Sequence, residues 1–107
     1  MHSNDAQMLV LTVLADGPRH GYTINAAIED LTGRKLGPGS LYGALARLEA
    51  RGLVQPADDV AEAGQQRQER HRTMRITAAG RDTLRVELER MARVSRAGLR
   101  ALGIAPA

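Results

Sequence analysis

The first hydrophobic pattern along the chain is the continuous apolar run of residues 8–15. Capping residues precede it at positions 4–5, and the helix-ending pair Gly17 and Pro18 follows it. We predict a helix here, because the caps and the length of the segment weigh against a buried strand. Such a helix is apolar on nearly every side, and a single short chain can hardly surround it. This is a first indication of a second subunit.

Two further patterns place hydrophobic residues at positions i, i+4 and i+7, which is the spacing of one helix face. They consist of Ile24, Ile28 and Leu31, then Leu41, Leu45 and Leu48. Gly33 and Gly52 follow these patterns where helix ends favour glycine. Before the third helix, Gly37 suits the N-cap, and Pro38 suits the first helical position.

The chain then changes to the pattern of a β-hairpin. Residues 53–55 form a short strand candidate, and a polar segment without period follows at 56–70. In the next strand candidate, Met74 and Ile76 share one face, and polar side chains alternate with them. Two strands joined by a long polar loop predict a hairpin.

A long amphipathic helix is predicted over about 78–102, with Thr77 as its N-cap. Its apolar stripe includes Leu84, Leu88 and Met91, and arginines occupy the other side. We expect a second copy of the chain to cover this stripe together with the first helix. Folding back on its own domain and lying on a membrane surface are the alternatives. The predicted interface residues are Met8, Leu11, Leu84, Leu88, Met91, Leu99 and Leu102.

The element order is helix, helix, helix, strand, loop, strand, helix. It predicts a mainly α fold with a small β-hairpin, namely a winged helix-turn-helix followed by a C-terminal dimerisation helix. We place the DNA-binding domain at residues 1–77 and the dimerisation helix at 78–107. In this design the third helix, at about 38–51, enters the major groove, and the wing, at about 57–72, lies near the DNA backbone.

Composition and charge agree with a DNA-binding protein. The net charge is +3, and the 107 residues contain no cysteine. Residues 34–56 carry a net charge of +3 and residues 67–81 one of +4, almost entirely from arginine. A GC-rich genome would also favour arginine over lysine, but it does not explain the two clusters. The apolar run is too short to span a membrane, so we expect a cytoplasmic protein.

No pattern in the sequence supports catalysis or a cofactor. The three histidines are scattered, and without cysteine they lack the spacing of a metal site. Neither a nucleophile triad nor a phosphate-binding loop is present, because the stretch 37–43 lacks the Gly-Lys-Ser/Thr ending of such a loop. We therefore expect no enzyme activity, no cofactor and no metal ion.

The outward face of the third helix is made almost entirely of glycine and alanine, which would let the helix sit deep in a groove. Arg47 is the best candidate for a guanine contact, and Ser40 could bond to a base or a phosphate. Each arginine could equally be part of a solvated face. The predicted DNA-binding residues are Tyr22, Ser40, Tyr42, Arg47, Arg51, Arg67, Arg70 and Arg72. In the wing, the acidic residues of the other limb could instead neutralise the arginines.

Residues 8 to about 82 resemble the winged-helix domain of PadR-type transcriptional regulators. The matching pieces, in order, are GPRHGY, GSLY, ALARLEARGLV and RITAAG. The resemblance implies a cytoplasmic homodimeric repressor that binds an inverted-repeat operator, with Tyr22, Ser40, Tyr42, Arg47 and the wing facing DNA. The length and the single terminal helix resemble the short subgroup of the family.

The chain departs from the family pattern at three points. Gly43 stands where members often have proline, and Thr73 and Met74 stand where the wing usually carries aromatic residues. Some relatives bind flat aromatic drugs between tryptophans, which this chain lacks. Two alternatives to a repressor remain: a winged-helix module that binds protein rather than DNA, and a sensor gated by an unidentified small-molecule effector.

Overall fold

The computed structural model describes residues 3–57 and 72–104. Four helices and three short strands make up this part of the chain, which confirms a mainly α fold with a small sheet. In chain order they are α1 (Ser3–Leu14), β1 (Arg19–His20), α2 (Gly21–Thr32), α3 (Pro38–Ala50), β2 (Val54–Pro56), β3 (Thr73–Ile76) and α4 (Ala78–Ala101).

The capping residues expected at the end of α2 and at the starts of α3 and α4 are present, whereas α1 begins at Ser3, so the caps expected at positions 4–5 lie inside that helix. Gly33 ends α2 in the left-handed conformation with a φ of 88°, where a residue with a side chain would be strained. Gly37 is the N-cap of α3, and Pro38 is its first residue. The hydroxyl of Thr77 accepts a hydrogen bond from the backbone N–H of Gly80 at 3.0 Å, which caps α4.

The sheet has three antiparallel strands in the order β1-β3-β2, one more than the predicted hairpin. β3 lies in the centre, where Met74 pairs with Arg19 of β1 and with Pro56 of β2. Met74 and Ile76 are buried on one face of β3, as predicted. The prediction missed β1 because a two-residue strand has no alternation to detect.

The core is formed by hydrophobic residues from every helix and from β2 and β3. Helix α1 lies at its centre and packs against α2, α3, α4 and β3. Val10 and Leu14 are completely buried there. The chain therefore covers most of α1 by itself, which removes the argument that this helix requires a second subunit.

Helix α4 leaves the core after its second turn. Gly80 and Leu84 are its buried residues, and from Arg85 onward nearly all of its side chains are exposed. At Gly80 the helix touches the residue before β2, since a Cβ on this glycine would overlap the carbonyl oxygen of Leu53. The division into domains at residue 77 remains a prediction. Within the described ranges, every helix is too short or too polar to cross a membrane.

Candidate nucleic-acid interface

Helix α3 presents a flat outer surface because its bulky residues all face the core. Leu41, Ala44, Leu45 and Leu48 are its buried residues. The opposite side carries Gly39, Gly43, Ala46 and Ala50, which are exposed or half-buried. Since none of these side chains extends beyond a methyl group, the backbone of α3 can approach another surface closely.

Asn25 of α2 holds the loop that leads into α3. Its side-chain amide donates to the carbonyl oxygen of Leu36 at 2.8 Å, and its side-chain oxygen accepts from the N–H of Leu36 at 2.8 Å. Leu36 is itself buried, so the loop is fixed at both its backbone and its side chain. The sequence analysis did not identify Asn25, because only the folded chain brings it next to a residue eleven positions away.

Arg47 is the long cation on the outer side of α3. Its guanidinium folds back over Gly43, where an added Cβ would lie 3.2 Å from Nη1 of Arg47. Within residues 3–57 and 72–104, no acceptor is bonded to this guanidinium. Ser40 is exposed on the same side of the helix, seven residues earlier. These two predicted residues therefore lie on the same exposed side of α3.

Arg51, another predicted DNA contact, is bonded to a different part of the protein. Its Nη1 donates to Oε1 of Gln7 in α1 at 2.6 Å. Gln7 is 7% exposed and is the buried polar residue of the described core. The structure thus draws Arg51 toward α1, at the end of α3 that is remote from Ser40.

Arg72, at the base of the wing, is paired with α3. Its Nη2 lies 2.9 Å from Oε1 of Glu49, and both side chains are partly exposed. The acidic partners considered in the sequence come between β2 and β3 along the chain. Together with Arg67 and Arg70, they lie outside the described residues. The partner within the described chain is thus a carboxylate of α3 itself.

The two tyrosines, both predicted to bind DNA, occupy different environments. Tyr42 is half-buried and packs against the core. Tyr22, at the start of α2, is 72% exposed and stacks on His20 with ring centroids 6.5 Å apart. Tyr42 is therefore anchored by its ring, whereas Tyr22 presents most of its surface to the solvent.

The residues predicted for an interface between copies divide into two groups. Leu11 and Leu84 are only 2% and 5% exposed, so they belong to the core of the single chain, which corrects their assignment to a surface. Leu88, Met91 and Leu102 are 41%, 44% and 75% exposed, although they are apolar. Met8 and Leu99 are half-buried. The surface members of the set thus lie mainly on α4.

Between α1 and α4 the surface forms an open groove of about 900 Å³. Its lining includes Met8, Val86 and Met91, together with Gln7 and Arg51. Glu87 and Arg90 of α4 also line it and form an ion pair with each other. The hydrogen bond from Arg90 lowers the pKa of the Glu87 carboxyl below its usual value, which favours the ionised form. The groove is therefore apolar in part, with fixed charges at its side.

Comparisons with known proteins agree with this architecture. The family model described as the Transcriptional regulator PadR-like family matches residues 10–86. A protein of transposon Tn4556 of Streptomyces fradiae, described as uncharacterized and 37.1 kDa in mass, is 57% identical over 95 residues. That match covers 89% of this chain but only 25% of the relative, so the chain spans about a quarter of its length.

Solved structures resemble the fold over most of the chain. A transcriptional regulator from Clostridium thermocellum has a TM-score of 0.72 at 24% identity, over 89% of this chain and 87% of that one. A PadR family transcription regulator from Clostridium difficile has a TM-score of 0.71 at 21% identity, over 91% and 97% of the two chains. At these identities the likeness concerns the fold alone.

Proposed function

Because the chain belongs to the PadR-like family of transcriptional regulators, whose members regulate transcription and are not enzymes, we propose that it is a homodimeric repressor. It binds double-stranded DNA at an inverted-repeat operator through α3 and the wing. The observation that carries this proposal is the outer face of α3, where glycine and alanine leave the helix flat beside the guanidinium of Arg47, to which no described residue bonds.

The flat face allows α3 to enter the major groove deeply, and the side chains at its edges supply the contacts. Arg47 can donate two hydrogen bonds to a guanine, which is the commonest base-specific contact. Ser40 and the hydroxyls of Tyr22 and Tyr42 can bond to phosphates, which set the position of the protein on the duplex. Arg72 lies on the wing side of α3 and has the DNA backbone as a second partner.

Two copies are needed to read an inverted repeat. The support for a dimer is the exposed apolar surface of α4 and its C-cap, which includes Leu88, Met91 and Leu102. A twofold dimer places its recognition helices about 34–36 Å apart, one turn of DNA, or a multiple of that spacing. The wing residues Arg67 and Arg70 remain predicted DNA contacts. The cytoplasmic location also remains a prediction.

Fluorescence anisotropy with labelled duplexes from upstream of this gene and its neighbours tests the proposal. We expect one duplex to bind more tightly than the others. Its affinity should fall steeply between 50 and 200 mM salt, since a protein with six to ten phosphate contacts loses about 10³- to 10⁵-fold in affinity over this range. Binding that is equal on all duplexes would contradict a specific operator. A folded protein that binds no duplex at either salt concentration would contradict DNA binding altogether.

A protein-binding module without DNA binding is the second candidate. The observation that favours it is that two of the predicted DNA-binding arginines near the outer side of α3 already have partners within the protein: Arg51 bonds to Gln7, and Arg72 pairs with Glu49. Few base-reading side chains then remain on α3. A stable complex with another protein, together with no salt-sensitive shift on any duplex, would support this candidate against the repressor.

A small-molecule effector is compatible with the groove between α1 and α4, whose volume is about 900 Å³. Such a volume is within the range of ligand sites. The effector remains an unidentified partner of the repressor.

A further inference from the structure

Gln7 is a buried amide whose described side-chain hydrogen bond involves only its oxygen. Its side chain is in α1, 7% exposed, and lines the groove between α1 and α4. The guanidinium of Arg51 only donates hydrogen bonds, so the atom of Gln7 that faces it is the oxygen Oε1. The amide nitrogen Nε2 therefore points elsewhere, and no acceptor among the described residues bonds to it.

A buried donor without an acceptor is unfavourable, because its bonds to water are lost and not replaced. Arg51 lines the same groove and has further N–H groups beyond the one given to Gln7. Both side chains thus line one groove and carry N–H groups that no described residue accepts. A carboxylate is the acceptor that both can share, since it has two oxygens and carries the opposite charge.

Glu87 of α4 has the complementary group. Both bonds from Arg90 go to its Oε2, which leaves Oε1 without a partner in the described chain. Glu87 lines the same groove but does not bond to Gln7 or Arg51 of its own chain. In a twofold dimer each surface patch meets its own copy, so a groove residue of one chain faces groove residues of the other.

We propose that Glu87 of a second copy accepts hydrogen bonds from Gln7 and Arg51, and that this polar anchor sets the register of the homodimer. The proposal rests on the homodimer described above and names its contact. Exposed apolar residues of α4, among them Val86 and Met91, flank Glu87 and give the second copy a hydrophobic surface to bury. Such a surface alone tolerates several alignments, whereas one buried polar contact selects among them.

Exchanging the charges tests the anchor between copies. Arg51→Glu places two carboxylates at each anchor of its homodimer, and Glu87→Arg places two guanidinium groups there. We expect each variant alone to dimerise at least about tenfold more weakly than the wild-type chain in sedimentation equilibrium. When the two variants are mixed, every anchor again joins a carboxylate to a guanidinium. We therefore expect the mixture to form a heterodimer about tenfold more tightly than either homodimer.

The controls separate this inference from the dimer itself and from a loss of folding. Glu89→Arg changes a carboxylate that is paired with Arg85 and does not line the groove, so mixing it with Arg51→Glu should give no heterodimer preference. Circular dichroism verifies that the variants are folded. Should one of them unfold, Gln7→Met is used in its place. Introduced into the wild-type chain, Gln7→Met should weaken dimerisation about threefold or more. Introduced into a chain that already carries Glu87→Gln, it should leave dimerisation unchanged.

The outcomes are distinct. A wild-type chain that remains monomeric would overturn the homodimer and the anchor together. A wild-type dimer whose charge-exchanged variants show no preference for each other would overturn the anchor alone.

Discussion

Helices α3 and α4 carry the same hydrophobic spacing, but only one of them is covered by the rest of the chain. In α3 the residues at i, i+4 and i+7 are Leu41, Leu45 and Leu48, and all are buried. In α4 the equivalent positions are Leu84, Leu88 and Met91, and burial ends at the first of them. The spacing thus predicts which side of a helix is apolar, and the tertiary fold decides what that side meets.

The sides of the two helices opposite their hydrophobic stripes differ in the size and charge of their side chains. The outer side of α3 is flat, with glycine and alanine between Arg47 and Tyr42. The corresponding side of α4 carries long charged side chains that pair along the helix, as Arg85 does with Glu89. A flat side suits close approach to a rigid groove, whereas charged pairs suit contact with water. The contrast supports the proposal that the outer side of α3 meets DNA, whereas the charged side of α4 faces water and its apolar side meets another copy.

The largest expected effect comes from truncating matched leucines of the two helices. Leu48→Ala should lower the free energy of unfolding by about 2–5 kcal/mol at every protein concentration, because it opens a cavity in the core. Leu88→Ala should lower it by less than about 1 kcal/mol where the chain is monomeric. Its effect should grow at concentrations where a dimer forms, since dimerisation adds to the apparent stability. Urea unfolding at two concentrations measures both.

A pair of glycines in α4 tests where the helix leaves the core. Gly80→Ala should destabilise by about 1–3 kcal/mol, because its Cβ would overlap the carbonyl oxygen of Leu53, which belongs to the backbone and cannot move aside freely. Gly98→Ala should stabilise by about 0.5–1 kcal/mol, since an added Cβ would meet no described residue beyond the adjacent part of its own helix within 4 Å and alanine favours a helix. Thermal unfolding of the two variants would contradict this account if both changes had the same sign.

Arg47→Ala tests the outer side of α3. It should cost about 1–3 kcal/mol of binding to the operator and should relax the sequence preference, because a guanine contact is lost. Arg96→Ala, an exposed arginine of α4, is the matched control and should leave both quantities nearly unchanged. Anisotropy titrations on the operator and on random DNA measure the difference. An equal loss on both duplexes would show that Arg47 contacts only phosphate.

The smallest expected effect concerns the pair of Glu49 and Arg72. Glu49→Gln should lower stability by only about 0.2–1 kcal/mol, because the pair is partly exposed. It should nevertheless raise DNA affinity roughly two- to fivefold, since a negative charge near phosphates is removed and Arg72 is released. Glu89→Gln on α4 removes a comparable exposed pair and should leave DNA affinity unchanged. Reduced affinity of the first variant would indicate that Glu49 positions Arg72 for DNA instead.

The elements of the fold could be predicted where their signals are local. The proline and glycine before α3, the glycine after α2 and the cap at Thr77 each act within one turn of a helix, and the structure confirms them. Strand β1 could not be predicted, because its two residues are defined by pairing with β3, more than fifty positions later. Leu31 follows the helical period but is exposed, since none of the described elements covers that end of α2.

The candidate site was predictable only in its chemistry. The small residues and Arg47 on the outer side of α3 follow from helical geometry alone. The partners that hold or occupy the other side chains do not, because they join distant positions: Asn25 to Leu36, Gln7 to Arg51 and Glu49 to Arg72. The sequence shows which residues are polar, but which of them contact each other depends on the tertiary fold.

The most direct test of the contrast between the two helices is an NMR titration of the ¹⁵N-labelled chain with the operator duplex, at a protein concentration where its oligomeric state does not change. We expect the largest amide shifts at Gly39, Ser40, Gly43 and Arg47, and little change in α4 beyond Leu88. Shifts confined to the exposed half of α4, with the α3 amides unmoved, would contradict the assignment of α3 as the DNA-binding surface.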